Sequence, residues 1–396
     1  MTELVIWHEF DGQGDTSIEV LEQLCEKFEE QHGVHIRLES MSITELGERI
    51  KHIHRTGEGP HMAIVPSDMA SYKESALLSA VPLAWYEGII GEHVLQSMLV
   101  DGYQAGLPIL TGNHLALYYN RGLYKNPPLD WQEWSERSAE LNDKGITPVG
   151  IDIKQSYSFI PLLTAFGGWP MHNNKPSLGT PEMEAAIAYV HNQREKGVLK
   201  SFDGATELLE QFLAGQISAI ITGEWIYNYL QREMGDELGV AHLPAIAGKA
   251  SFSMSSSIGL IFPNDSINTS LGDDIRKFAA FLLEDESQLA WAERAQRIPV
   301  RTGAMEKLQA TADPNRQNLI AMANASRPIP VSPFMIAAWV GMEAGLAELE
   351  QGNAEGACRK MVGVSEEVVA QIEQFLLEKK EEDERNESNR VQPSVH

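Results

Sequence analysis

The stretch Gly106–Trp134, GLPILTGNHLALYYNRGLYKNPPLDWQEW, decides how this chain is built. A short apolar run closes at Pro108-Ile109-Leu110. The polar break Thr111-Gly112-Asn113-His114 follows, and then a strand-like run, Leu115-Ala116-Leu117-Tyr118-Tyr119-Asn120. Asn126-Pro127-Pro128 then turns the chain toward a helix that starts at Asp130 and carries Trp131 and Trp134. Short apolar runs bounded by turn residues read as buried strands. Two of them joined by a brief polar crossing suit a hinge between two α/β lobes.

Outward from this stretch toward the N-terminus, the pattern is strand, helix, strand, helix, strand. Leu4-Val5-Ile6-Trp7 is an apolar run, and Asp11-Gly12-Gln13-Gly14 reads as a turn. Thr16 and Glu19 have the spacing of a capping box. Ile18, Leu21, Cys25 and Phe28 then repeat at helical spacing until Gly33 stops the helix. Val34, Ile36 and Leu38 alternate as a strand does. A second helix carries Leu46, Ile50 and Ile53, and Met62-Ala63-Ile64-Val65 is a third strand ending at Pro66. That order predicts a mostly parallel sheet covered by helices.

Toward the C-terminus, Thr180-Pro181 opens a helix that Gly197 ends. Strands are expected at Ile217 to Thr222, Leu238 to Leu243 and Ile258 to Phe262, with a helix from Trp225 to Arg232. Ser253-Met254-Ser255-Ser256-Ser257 is a small polar run ahead of the last of those strands, and a third crossing is expected near Asp313-Pro314. The last third reads as helical, and Lys379 to His396 is a charged, polar end expected to fray.

The totals set limits. At 396 residues the chain is long enough for two or more domains. Its formal net charge of −25 opposes nucleic-acid backbones and anionic membranes. No apolar run approaches the ~20 residues of a membrane-spanning helix. The opening MTELVIWHEF has neither a basic n-region nor an apolar h-region. It reads as a mature form with an added Met or as a protein that stays in the cytoplasm. Two cysteines, Cys25 and Cys358, are too few for a disulfide framework and read as buried thiols, with pairing left open. No HExxH, GxSxG, GxxxxGK[ST] or CxxC is present, so no enzyme signature and no cofactor or metal site is read. His8-Glu9 lacks a second histidine, and His52 and His54 point to different faces of a helix.

After the polar break the residues Leu117-Tyr118-Tyr119-Asn120, Leu123, Asn126-Pro127-Pro128, Asp130-Trp131 and Glu133 resemble the phrase "LYYN…L…NPP.TW.E" of the maltose-binding group of bacterial solute-binding proteins, components of sugar importers. The resemblance runs from about residue 4 to about residue 375. It implies an α/β fold of the two-lobed periplasmic-binding type II: each lobe a mixed, mostly parallel sheet flanked by helices, with the ligand cleft between them. The division expected is residues 1–110 in the first lobe, 111–259 in the second, 260–312 returning to the first, 313–385 as C-terminal helices on the second, and 386–396 as a disordered tail.

A sugar offers flat apolar C–H faces and a rim of hydroxyls, so its site needs aromatic platforms and polar side chains. Gly223-Glu224-Trp225 resembles the family's strand–"G.W"–helix motif, which makes Trp225 a stacking residue, with Tyr227 as a second aromatic. Pro333 to Trp339 resembles the late "P…..W" helix with its ligand-stacking Trp339. Tyr157 and Gln155, in Gln155-Ser156-Tyr157, match a loop supplying an aromatic and a polar group. Asp11 and Asp68 fall where acids bind hydroxyls, with helix capping as the alternative for each. Asn113 stands where maltose binders carry a glutamate. Val65, Met69, Gln155 and Val340 replace a tryptophan, an arginine, a glutamate and a tyrosine. The resemblance therefore implies a monomer that binds a maltose- or maltodextrin-like oligosaccharide and delivers it to an importer's membrane permease. It implies an extracytoplasmic location and neither catalysis nor cofactor. A sugar-sensing protein coupled to a signalling receptor is the alternative, and a carbohydrate-active enzyme, needing two placed carboxylates, is a further one.

Overall fold

The computed structural model describes residues 2–10 and 14–390. The chain begins with β1 (Thr2–His8), α1 (Ser17–His32), β2 (Val34–Ser40), α2 (Ile43–Lys51) and β3 (Met62–Pro66). Val20, Leu21, Leu24, Cys25 and Phe28 form the buried stripe of α1, and Gly33 ends it by donating its N–H to the Glu29 carbonyl at 2.8 Å. β4 (Leu107–Thr111) and β5 (Leu115–Asn120) are the two strands of the opening stretch. Next come α3 (Trp131–Asp143), β6 (Thr147–Ile151), α4 (Ser156–Ala165), α5 (Pro181–Glu195) and β7 (Leu199–Ser201). α6 (Ala205–Leu213), β8 (Ile217–Gly223), α7 (Tyr227–Met234) and β9 (Leu238–Ala241) follow. β10 (Ile258–Ile261), α8 (Gly272–Leu282), α9 (Asp285–Arg294), β11 (Ile298–Pro299) and α10 (Thr302–Thr311) lead to the C-terminal helices α11 (Pro314–Ala325), α12 (Met335–Glu350) and α13 (Ala354–Arg390).

These elements build two sheets. The first has the order β11-β4-β10-β3-β1-β2 and the second β7-β6-β8-β5-β9. β1 runs parallel to β2 and β3, as the sequential β-α-β order requires, and β10 lies antiparallel between β3 and β4. In the second sheet β6 is parallel to β7 and β8, while β5 is antiparallel to β8 and β9. The architecture is a mixed α/β fold of two lobes. β4 ends in one sheet and β5 starts in the other, so Gly112, Asn113 and His114 carry the chain across.

Each sheet buries apolar side chains on both faces. Leu4, Ile6 and Ile64 pack with α1, α8 and α9 on one side of the first sheet, and Val65, Met69 and Ile50 pack on the other. In the second lobe Trp131 and Trp134 are fully buried and meet edge to face at 5.1 Å. An aromatic of that size removes roughly 150–250 Å² from water. Asp130 caps their helix by accepting the Gln132 N–H at 2.9 Å, consistent with the helix start expected at Asp130.

Three expectations change. Thr16 makes no side-chain cap at α1. Its hydroxyl accepts from Asn228 at 2.7 Å, and Asp15 takes the Ser17 N–H instead. Ile258 and Gly259 were placed in the second lobe. They pair with Pro66 and Val65, so the return crossing is complete before Ile258. The expected disordered tail from 386 overlaps α13, which continues to Arg390 through a segment with an i,i+3 pair at Lys379–Glu382. Residues 391–396 lie outside the described residues. Cys25 and Cys358 are both free and buried.

Candidate functional site

The two crossings are sewn together by the Ser253–Ser257 run. Ser253 Oγ accepts the Leu115 N–H at 2.9 Å, and Asn113 Nδ2 donates to Ser256 Oγ at 2.9 Å. The Ser67 N–H donates to the Ser257 carbonyl at 2.9 Å, which ties the end of β3 to the same place. Small hydroxyl side chains suit this role because they serve a neighbouring backbone without filling the space between strands. Asn113 takes a left-handed φ of 40°, which asparagine tolerates better than most residues. Gly112, at φ 98°, leaves room that a Cβ would lack: it would come within 2.9 Å of Ile298 and 3.2 Å of Glu224 Oε1.

Three aromatics gather beside the crossings. Tyr157, on the first turn of α4, lies 6.4 Å from Trp225 and 6.1 Å from Trp339, ring centre to ring centre. All three are half-buried. Trp225 leaves β8 through a short turn, and its indole lies against the Gly223 backbone. A Cβ on Gly223 would sit 2.2 Å from that ring, which is the physical content of glycine two residues before tryptophan. The Tyr157 hydroxyl lies 2.6 Å from the Asn113 carbonyl and 2.8 Å from the Met254 carbonyl, so it touches both crossings.

Asp68 comes from the other lobe. It sits in the tight turn Ser67–Tyr72 after β3, at the carboxyl end of a parallel strand, where α/β sheets place ligands. Trp339 Nε1 donates to Asp68 Oδ2 at 3.0 Å, directly across the lobes. Burial pushes the Asp68 carboxyl above its ordinary value, against the Trp339 bond and the local backbone N–H groups that hold it down.

The remaining expected residues fall elsewhere. Tyr227 is a core residue, 1% exposed, and its hydroxyl donates to Asp313 Oδ2 at 3.0 Å. It starts α7 two residues beyond Trp225, which turns its ring into the lobe. Gln155 is exposed at the start of α4 and makes no side-chain cap there. Asn113 serves the crossing, with Arg297 Nη2 donating to its Oδ1 at 3.5 Å. Asp11 lies outside the described residues.

A buried charged group under the aromatics had no signature in the sequence. Glu224, Arg297 and Arg316 are each 1% exposed and His114 is fully enclosed. Arg297 Nε lies 3.4 Å from Glu224 Oε2, and Arg297 Nη1 lies 3.5 Å from Asp15 Oδ2. Burial raises the Glu224 carboxyl while both arginines oppose that rise. Burial also pushes His114 down to about 3, helped by Arg316 and Arg297. Glutamate before a tryptophan and arginine in a loop are ordinary surface residues by pattern, and nothing in the spacing joins them.

Among the described residues, no group of three or more His, Cys, Asp or Glu side chains could hold a metal ion. No described helix is long and apolar enough to cross a membrane.

Two α/β lobes, joined by repeated crossings and meeting at aromatics on one side and an acid on the other, make this a two-lobed ligand-binding architecture. Residues 23–318, well over half of the chain, match the bacterial extracellular solute-binding proteins. The chain belongs to that family. The match is to the family as a whole and does not reach a maltose-binding subgroup.

Proposed function

We propose that this solute-binding protein captures an oligosaccharide of maltodextrin type between its lobes, outside the cytoplasm, and hands it to the membrane permease of an ABC-type importer. The carrying observation is the set Tyr157, Trp225 and Trp339 in one lobe facing Asp68 in the other. Half-buried aromatic rings suit the C–H faces of sugar rings, and a carboxylate accepts from two hydroxyls at once. The same residues join opposite lobes, so a solute held by both favours the closed arrangement.

The site supports capture without chemistry. Among the described residues, Glu224 is a second carboxylate beside the aromatics; it is engaged by Arg297 and is 1% exposed, which leaves it unsuited to proton transfer with a sugar. No cofactor is invoked, and the protein is proposed to act as a monomer. The lobe division is proposed at the crossings near 112–114, 254–257 and 312–313.

A thermal-shift screen over monosaccharides, maltose, maltotriose and longer maltodextrins tests this reading. A ligand that binds only the native state raises the melting temperature, by about 2.7 kcal/mol of stability at a hundredfold excess over Kd. A rise with maltotriose and longer chains is expected. A screen in which no oligosaccharide shifts the transition at millimolar concentration overturns the sugar assignment.

A further inference from the structure

Arg297 reaches four groups from three parts of the chain. Its Nη1 pairs with Asp15 at 3.5 Å and donates to Ser17 Oγ at 3.2 Å, both at the start of α1 in the first lobe. Its Nε pairs with Glu224 at 3.4 Å, at the end of β8 in the second lobe. Its Nη2 donates to Asn113 Oδ1 at 3.5 Å, on the crossing between them. A guanidinium offers donors in a rigid planar fork that can serve three directions at once, which the compact ammonium of a lysine on its flexible stem does not reproduce.

Two of those partners are immediate neighbours of the aromatic cluster. Glu224 directly precedes Trp225. The Asn113 carbonyl accepts from the Tyr157 hydroxyl at 2.6 Å. Around the ion pair other contacts also join α1 and α9 to α7. Asn228 donates to Thr16 Oγ1 at 2.7 Å and to the Arg294 carbonyl at 2.6 Å, and Arg232 pairs with Glu19 at 3.1 Å. The Arg232 pair is exposed and therefore weak. The Arg297–Glu224 pair is enclosed, so separating it changes the energy of two desolvated charges.

We propose that Arg297 is a positioning residue for ligand binding. By bridging Asp15 and Ser17 to Glu224 and Asn113, it makes lobe closure and the placement of Trp225 and Tyr157 one event. The role of the aromatics rests on the cleft reading above; the closure role does not. Opening the lobes draws Glu224 away from Arg297 and lets water reach both. Closing them restores the pair in one register, because the fork matches only one arrangement of its partners. The pair thus selects the closed geometry in which the two rings stand where the structure shows them.

The test compares wild type with Glu224→Gln and Arg297→Lys, without ligand. Glu224→Gln keeps the shape and removes the charge; Arg297→Lys keeps the charge and removes the fork. Small-angle scattering gives the radius of gyration, acrylamide quenching reports exposure of the tryptophans, and far-UV circular dichroism reports folding. Glu224→Gln is expected to shift the closed-to-open ratio roughly tenfold toward open, with a larger radius and stronger quenching. Arg297→Lys moves the same way by less. A merely structural role lowers the melting temperature and leaves radius and quenching at wild-type values, and that outcome overturns the proposal. Should Glu224→Gln fail to fold, Arg297→Lys alone decides by the same two readouts. Opening without any oligosaccharide binding upholds the closure role while the sugar reading fails. Tight maltotriose binding with no opening in either variant does the reverse.

Discussion

Replacing Trp339 by phenylalanine isolates the contact that crosses the lobes at the proposed site. Phenylalanine keeps a flat ring beside Tyr157 and removes the Nε1–H that Asp68 accepts at 3.0 Å, together with part of the indole's apolar area. A hydrogen bond to a charged acceptor contributes about 1.5–3 kcal/mol net. Asp68 is half-buried, so water can partly take the place of the indole donor, which discounts the loss to about 1–2 kcal/mol. Because the donor and acceptor sit in different lobes, that energy belongs to the closed form, and the expected change is a roughly 5- to 30-fold shift toward the open one. Trp339→Ala should lose the same contact and, in addition, stacking surface worth about 1–3 kcal/mol in ligand affinity. Intrinsic fluorescence titration with maltotriose and scattering of the ligand-free protein measure the two parts separately. A Trp339→Phe protein with wild-type affinity and wild-type radius would refute the reasoning, since the contact would then carry no closing energy.

Trp225→Ala should weaken maltotriose binding by roughly 1–4 kcal/mol with the fold intact, measured by calorimetric titration; unchanged affinity removes Trp225 from the site. Asp68→Asn should weaken binding more than it lowers stability, because an amide accepts at one oxygen only and carries less desolvation cost. Equal affinity in the two proteins would reduce Asp68 to a turn residue. For pH, His114 is held at about 3 in the fold against about 6.5 unfolded, so the unfolded chain takes up the proton first and stability falls as pH drops below 6.5. At pH 5 that contribution is about 2 kcal/mol. His8, pushed by burial to about 4, acts in the same direction. The raised carboxyls of Asp68 and Glu224 act in the opposite one. The comparison of His114→Gln with wild type therefore isolates the term. Melting temperature between pH 7.5 and 5 should fall less steeply in the variant, and parallel curves would contradict the assignment.

Strands and helices were legible in the sequence because their periodicity is local. Val34, Ile36 and Leu38 alternate within one strand, and Thr180-Pro181 opens α5 with the Thr180 hydroxyl accepting the Met183 N–H. The capping box at Thr16 misled for a tertiary reason: Asn228, more than two hundred residues on, takes that hydroxyl. Tyr227 lies in the core because a short turn ahead of α7 separates it from Trp225, and a shift of two residues there decides whether a ring faces the lobe junction or the core. The Arg297–Glu224 pair could not be read at all, because its partners meet only through the order in which the chain leaves and re-enters each sheet. The aromatic set was reachable because each member sits in a short motif with its own local logic, such as Gly223 making room for the Trp225 ring.

The junction consequently has two layers with different physics. The outer layer of Trp225, Tyr157, Trp339 and Asp68 is half-buried, and under the proposed function its rings and carboxylate exchange contacts with water for contacts with the solute and set affinity. The inner layer of Arg297, Glu224, Asp15 and Asn113 is largely enclosed around the Arg297–Glu224 pair and has fixed partners. It is suited to set geometry, because a displaced ion pair is costly and a correctly placed one adds little net stability. Tyr157 connects the layers, with its ring in the outer one and its hydroxyl on the crossing backbone of Asn113 and Met254. Removing that hydroxyl in Tyr157→Phe retains the ring and frees it from both crossings. The two-layer argument requires this variant to lose affinity through poorer placement of an unchanged surface. It also requires a smaller effect of Tyr157→Phe in a Glu224→Gln background, where the inner layer no longer fixes the crossing.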